Sequence, residues 1–169
     1  AAHGEAQPSV MAGANSFVFI MGTVIHRALP ALLFIGAASG ALLNYLAADK
    51  LRGRFLRRSH IAAVSLSRWA APEGCIWLFI AGGLLAVIPW GVARTVGLNL
   101  VIALLFVYFL QGLAITGFFF RKWNLSLLLR VPIYIFIFFN IYLAVMVAAM
   151  GLFDLWVDFR KLRTAPDET

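Results

Sequence analysis

Four long apolar stretches punctuate this chain, Leu29 to Ala47, Cys75 to Trp90, Val96 to Phe120 and Val131 to Phe153, with most of the basic residues gathered between them. Crossing a hydrocarbon core of roughly 30 Å takes about 20 helical residues. Unpaired backbone groups are costly in hydrocarbon, so each crossing stretch should be a helix. The pattern predicts an all-α fold, a polytopic transmembrane helical bundle of about four spans. Cys75 to Trp90 is the shortest of them. An earlier apolar run, Phe17 to Ile25, is too short to cross alone and is cut off by His26, Arg27 and Pro30, so it reads as an interfacial or kinked extension of the first span. Beyond Gly151, Leu152, Leu155, Trp156, Phe159 and Leu162 share one helical side and Asp154, Asp158 and Lys161 another, which predicts an interfacial C-terminal helix. One transmembrane domain is therefore expected over 17–163, between a mobile N-terminal segment, 1–16, and a C-terminal tail, 164–169.

The connections carry an orientation signal. Lys50, Arg52, Arg54, Arg57, Arg58 and Arg68 crowd the first, Arg94 stands alone in the second, and Arg121, Lys122 and Arg130 mark the third. Nine basic residues against one place the first and third connections in the cytoplasm and both chain ends outside. Arg160, Lys161 and Arg163 oppose this arrangement, diluted by Asp154, Asp158, Asp167 and Glu168.

Composition agrees with lipid as the solvent: 63% of the 169 residues are hydrophobic and 12% charged, against roughly 45–50% and about 25% in a soluble domain. The net charge of +7 lies between apolar runs, so it reads as a topology signal and an anionic-lipid contact, with no nucleic-acid partner expected. Cys75 is the only cysteine, which excludes an intrachain disulfide and a cysteine metal site. His26 and His60 have no acid or second histidine at ligand spacing, so no metal site and no cofactor is expected. Ala1 stands where an initiator methionine would, and no basic secretory start follows, so the chain reads as processed or excised from a longer one.

Polar residues inside the apolar stretches are the candidates for function. Gly36, Ala37, Gly40 and Ala41 mark a close-packing face in the first span, and Asn140, Ala144, Ala148 and Gly151 form a stripe in the last, with Asn140 directed at protein rather than lipid. Asn99 and Gln111 lie twelve residues apart, about 18 Å in depth, too far to grip one small ligand, whereas Tyr108 and Gln111 could share a polar patch. Glu73, after Pro72 at the mouth of the second span, suits the positive end of a helix or the binding of a proton or cation. Arg94 would bind an anion or anchor a loop to lipid headgroups. Asp154 and Asp158 share a face near Arg160 and Lys161, which points to a solvated tail rather than a catalytic pair. No nucleophile elbow or phosphate-binding glycine loop is present, so no catalytic residue and no enzyme is expected.

The order Arg68-Trp69-Ala70-Ala71-Pro72-Glu73, Gly97-Leu98-Asn99-Leu100, Gln111-Gly112-Leu113-Ala114-Ile115 and Gly151-Leu152-Phe153-Asp154-Leu155-Trp156-Val157-Asp158-Phe159-Arg160-Lys161 resembles the YybS-like family of uncharacterised bacterial polytopic membrane proteins, over most of Leu29 to Arg163. Members are generally longer, so the chain is similar to their C-terminal half. The family is also distantly similar to the substrate-binding subunits of energy-coupling-factor transporters. The resemblance implies the bacterial cytoplasmic (inner) membrane and solute capture among helices, with no ligand residue to carry over.

Two readings of function follow. One is a transporter-like membrane protein binding a small solute or ion between helices, with Glu73, Arg94, Asn99, Gln111 and Asn140 as the binding residues. The other is a noncatalytic scaffold or assembly subunit of a larger membrane complex. The partners expected are the lipid bilayer and other membrane helices, from a missing N-terminal half or from partner subunits. A cavity of roughly 300 Å³ or more with convergent polar groups would favour the first, and dry helix contacts the second.

Overall fold

The computed structural model describes residues 7–157, apart from 57–68, together with residue 159. Among the described residues the elements are five α-helices: α1 (Gln7–Leu56), α2 (Gly74–Val87), α3 (Gly91–Lys122), α4 (Leu127–Phe139) and α5 (Ile141–Val157). Helix α3 is the hub, with α1, α2 and α5 packed on it and α4 packed on α5.

Helix α3 contains the whole Val96 to Phe120 stretch, and no charged residue falls between Arg94 and Arg121. That interval rises about 39 Å, enough to cross a bilayer. Trp90 and Trp123 flank it, 76% and 66% exposed, where interfacial aromatic residues belong. Its far end closes in a Schellman turn: the Leu125 N–H donates to the Phe120 carbonyl and the Asn124 N–H to the Arg121 carbonyl, with Asn124 at φ 48°. The Arg130 guanidinium adds hydrogen bonds to the carbonyls of Leu125 and Phe120, at 2.8 and 3.3 Å, placing a cation at the negative helix end.

Glycines set the helix spacing around this hub. A Cβ on Gly97 would collide with the backbone of Gly82 and Ala86 in α2, and one on Gly112 with the Val147 carbonyl in α5. One on Gly151 would meet the Tyr108 carbonyl and stand 2.7 Å from the Gly112 nitrogen. Such backbone approach replaces the hydrophobic driving force that is weak between helices in lipid.

Hydropathy and chain path diverge elsewhere. Within α1, Gly13–Leu51 is long and apolar enough to cross a membrane, as is α3, and α4 with α5 makes a third such element if the pair crosses as one. The Phe17 to Ile25 run is an extension of the first span, continuous with it in α1, which begins at Gln7 and runs on through Lys50 to Leu56. Much of the basic first connection is thus helix, and Arg57 to Arg68 lies outside the described residues. Helix α2 has 14 residues, rising about 21 Å. It stops before Pro89, whose ring drives Ile88 into an extended conformation. The fourth stretch is broken at Asn140, where α4 and α5 meet at 102°. The expected interfacial tail helix is instead the end of α5, which runs through Gly151 without interruption to Val157; the rest of the tail, apart from residue 159, is outside the described residues.

Candidate functional site

The polar side chains of α3 face its neighbours, and two sites result. At the first, Gln111 is buried and its amide is used at both ends: Oε1 accepts from the Ala71 N–H at 3.2 Å and Nε2 donates to Asp154 Oδ2 at 3.1 Å. Asp154 Oδ1 accepts from the Phe159 N–H at 3.0 Å. Residues 69–72 are non-helical yet reach the flank of α3, where Ala71 packs with Leu104 and Tyr108. Irregular backbone at this depth is tolerated only when protein groups satisfy it, which the Gln111 carbonyl oxygen does for Ala71. Tyr108 sets its ring edge-on to Phe79 at 5.8 Å and is 1% exposed, its hydroxyl without a hydrogen-bond partner among the described residues.

Asp154 overturns the reading of a solvated carboxylate. It is 6% exposed, because the contact of Gly151 with Tyr108 and Gly112 brings the following turn of α5 against α3. A signal was present: Ala144, Ala148 and Gly151 step along one face, and the next step of three lands on Asp154. Asp158 lies outside the described residues.

At the second site Asn99 reaches α1 beside Pro30. Its Oδ1 accepts from the Ala31 N–H at 2.9 Å, and its Nδ2 donates to the Arg27 carbonyl at 2.7 Å and to its own helix at Thr95. Ala31 N–H and Arg27 C=O are the pair that a regular helix joins to each other. The amide of Asn99 therefore engages the backbone ladder of α1 next to the proline that interrupts it. An open, almost wholly apolar cleft of about 540 Å³ lies alongside, between α1 and α3.

The remaining candidates sit elsewhere. Asn140 is half-buried, and its side chain caps α5, Oδ1 accepting from the N–H groups of Tyr142 and Leu143 at 3.0 and 3.3 Å. Rather than heading a continuous stripe toward neighbouring helices, it closes a break. Glu73 is exposed at the N-cap of α2 and makes no side-chain capping hydrogen bond, while its charge suits the positive end of that helix. Arg94 is exposed in the first turn of α3. Gly36 and Gly40 have open space where a Cβ would go, and the face of α1 that packs on the bundle carries Ala28, Ala31 and Ile35 instead. Among the described residues no three His, Cys, Asp or Glu side chains gather as a metal site requires.

This arrangement of apolar outer faces, glycine contacts and internally satisfied amides is that of a helical membrane protein. A family model described as "Predicted membrane protein (DUF2232)" matches residues 5–155. The chain belongs to that family. Neither the curated proteins nor the solved structures gave a match. The DUF2232 match spans α1 through nearly all of α5, so Asn99, Gln111, Asn140 and Asp154 all lie within the family region.

Proposed function

We propose that this DUF2232 protein is a noncatalytic membrane subunit that assembles with other membrane helices through the outward face of α1. The observation that carries this is the state of that face. Gly36 and Gly40 meet nothing within 4 Å, and Asn44, one further turn along, is an exposed amide in the same apolar stripe. Small residues in step with a polar side chain suit close helix approach and an interhelical hydrogen bond in lipid. The internal polar groups fit the same reading, since Asn99, Gln111 and Asn140 hydrogen-bond to this chain itself. In this reading the chain enters the bacterial cytoplasmic membrane four times, with α1 and α3 crossing fully, α2 as a short element and α4 with α5 as a broken one.

The test is mass measurement of the full chain extracted in mild detergent, with the partner identified by mass spectrometry. Gly36→Leu/Gly40→Leu and Asn44→Leu should lose the assembly while retaining helix content. If wild type and variants have the same mass distribution, the reading fails.

Transport is the second reading, favoured by non-helical backbone at Ala71 beside Gln111 and by the break at Asn140, since discontinuous helices often frame solute sites. It requires a small solute that raises the melting temperature of the wild type and has no effect on Gln111→Leu.

A further inference from the structure

The far end of α3 and the start of α4 bring two arginines together. Along α3, Gly117, Phe120 and Arg121 share one face, and along α4, Arg130 and Tyr134 share another, by steps of three and four. These faces meet. The Tyr134 hydroxyl lies against Gly117, 3.0 Å from where a Cβ would stand, and the Tyr134 ring is edge-on to Phe120 with centroids 5.4 Å apart. The Arg130 guanidinium is held at the same junction by its bonds to the Phe120 and Leu125 carbonyls, which use two of the five N–H donors of its fork.

Positive charge accumulates at this junction. Arg121 and Arg130 are both half-buried, and the charges of both reach the Tyr134 phenol. Helices α2, α3 and α4 contain no acidic residue, so none of them supplies a carboxylate to offset the pair. The N-terminus of α4 adds to the same sign, since Ser126 makes no side-chain cap there and Arg130 stands in the first turn. Two guanidinium groups drawn toward one phenol repel each other, and an anion between them removes that cost. The planar fork of arginine fits the paired oxygens of a phosphate. The exposed Trp123, Leu127 and Leu128 put the junction where α3 leaves the hydrocarbon, at the level of lipid phosphates.

We propose that the α3–α4 junction is a binding site for a phosphate group, held between Arg121 and Arg130 with the Tyr134 hydroxyl donating to one of its oxygens. A lipid headgroup and free phosphate share this chemistry. The site is built from α3 and α4 alone, so it is independent of the outward face of α1 and of any subunit that docks there.

Thermal unfolding of the full chain in dodecyl maltoside tests the site, with two arms that separate the sources. One compares sodium phosphate with sodium chloride at equal ionic strength, and the other compares dioleoyl phosphatidylglycerol with dioleoylglycerol, which lacks the phosphate. A site for lipid headgroups raises the melting temperature in the second arm alone, and a site open to free phosphate raises it in the first as well. Either rise supports the proposal when the concentration giving half of it is about tenfold higher in Arg121→Gln, the loss expected for a hydrogen bond to a charged group. Tyr134→Phe should shift it in the same direction by less. No rise in either arm, or the same dependence in wild type and Arg121→Gln, overturns the proposal. Arg130→Gln would loosen the turn after α3 as well as the site, whereas Arg121→Gln leaves the bonds to Phe120 and Leu125 in place. If Arg121→Gln fails to fold, an unchanged dependence in Tyr134→Phe overturns the proposal equally.

Discussion

Gln111 and Asp154, 43 residues apart in sequence, share a buried hydrogen bond of 3.1 Å that joins α3 to α5. The other end of the same amide holds the Ala71 backbone, so one side chain ties three parts of the chain together. Replacing it by Gln111→Leu leaves the Ala71 N–H without this acceptor and removes one donor from a buried carboxylate. A buried polar group deprived of its partner costs about 1–3 kcal/mol, so the loss in unfolding free energy should exceed that of an exposed substitution such as Leu128→Ala. Asp154→Leu should also destabilise. The double variant should lose less than the sum of the singles, by about 0.5–3 kcal/mol. Additive losses in a detergent unfolding titration would mean that the two groups are not coupled.

Backbone contact limits what position 151 tolerates. Gly151→Ala places a methyl group against the Tyr108 carbonyl, and α5 must move away from α3 to admit it. Overpacking of this kind costs typically 1–3 kcal/mol, read as a lower melting temperature. Gly83→Ala is the control: it meets nothing within 4 Å, and alanine is favoured over glycine in a helix by up to ~1 kcal/mol. The two substitutions should therefore shift stability in opposite directions, and a common direction would mean that helix propensity, not close approach, dominates at Gly151.

Much of this fold was legible because hydropathy reports solvent. The third apolar stretch is the core of α3, and the wide separation of Asn99 from Gln111 did place them in two different sites. Hydropathy is blind to direction, however. Val131 to Phe153 is interrupted by one amide, Asn140, and hydropathy does not distinguish an amide directed at a neighbouring helix from one that caps a new helix where the chain turns by 102°. Charge misled in the complementary way at Asp154, where a carboxylate near Arg160 and Lys161 in sequence belongs to the interior in space. The small residues Gly36 and Gly40 suggested a close-packing face, but within this chain α1 packs through Ala28, Ala31 and Ile35 and leaves that face open.

Asn99 leads to a prediction about local opening. Its amide serves the Ala31 N–H and the Arg27 carbonyl beside Pro30, where α1 has lost one donor of its own. Asn99→Leu should speed hydrogen–deuterium exchange in a peptide covering 27–34 and leave peptides of α5 unchanged, since α5 packs on other parts of α3. Equal protection at 27–34 in wild type and variant would show that α1 satisfies these groups by itself.

Asn140 separates capping from ligand binding by a graded series. Its side-chain oxygen accepts from the first N–H groups of α5, and its own backbone is extended, at φ −113° and ψ 110°, as a cap between two helices requires. Asn140→Ala removes the acceptor and should cost roughly 1 kcal/mol, whereas Asn140→Ser and Asn140→Asp, which can also cap, should stay within a few tenths of the wild type. A residue that bound a solute through its whole amide would not follow this order, because serine and aspartate lack the amide donor. Thermal unfolding of the four proteins in the same detergent gives the ranking, and a serine variant as unstable as the alanine variant would remove the cap as the reason for asparagine at this bend.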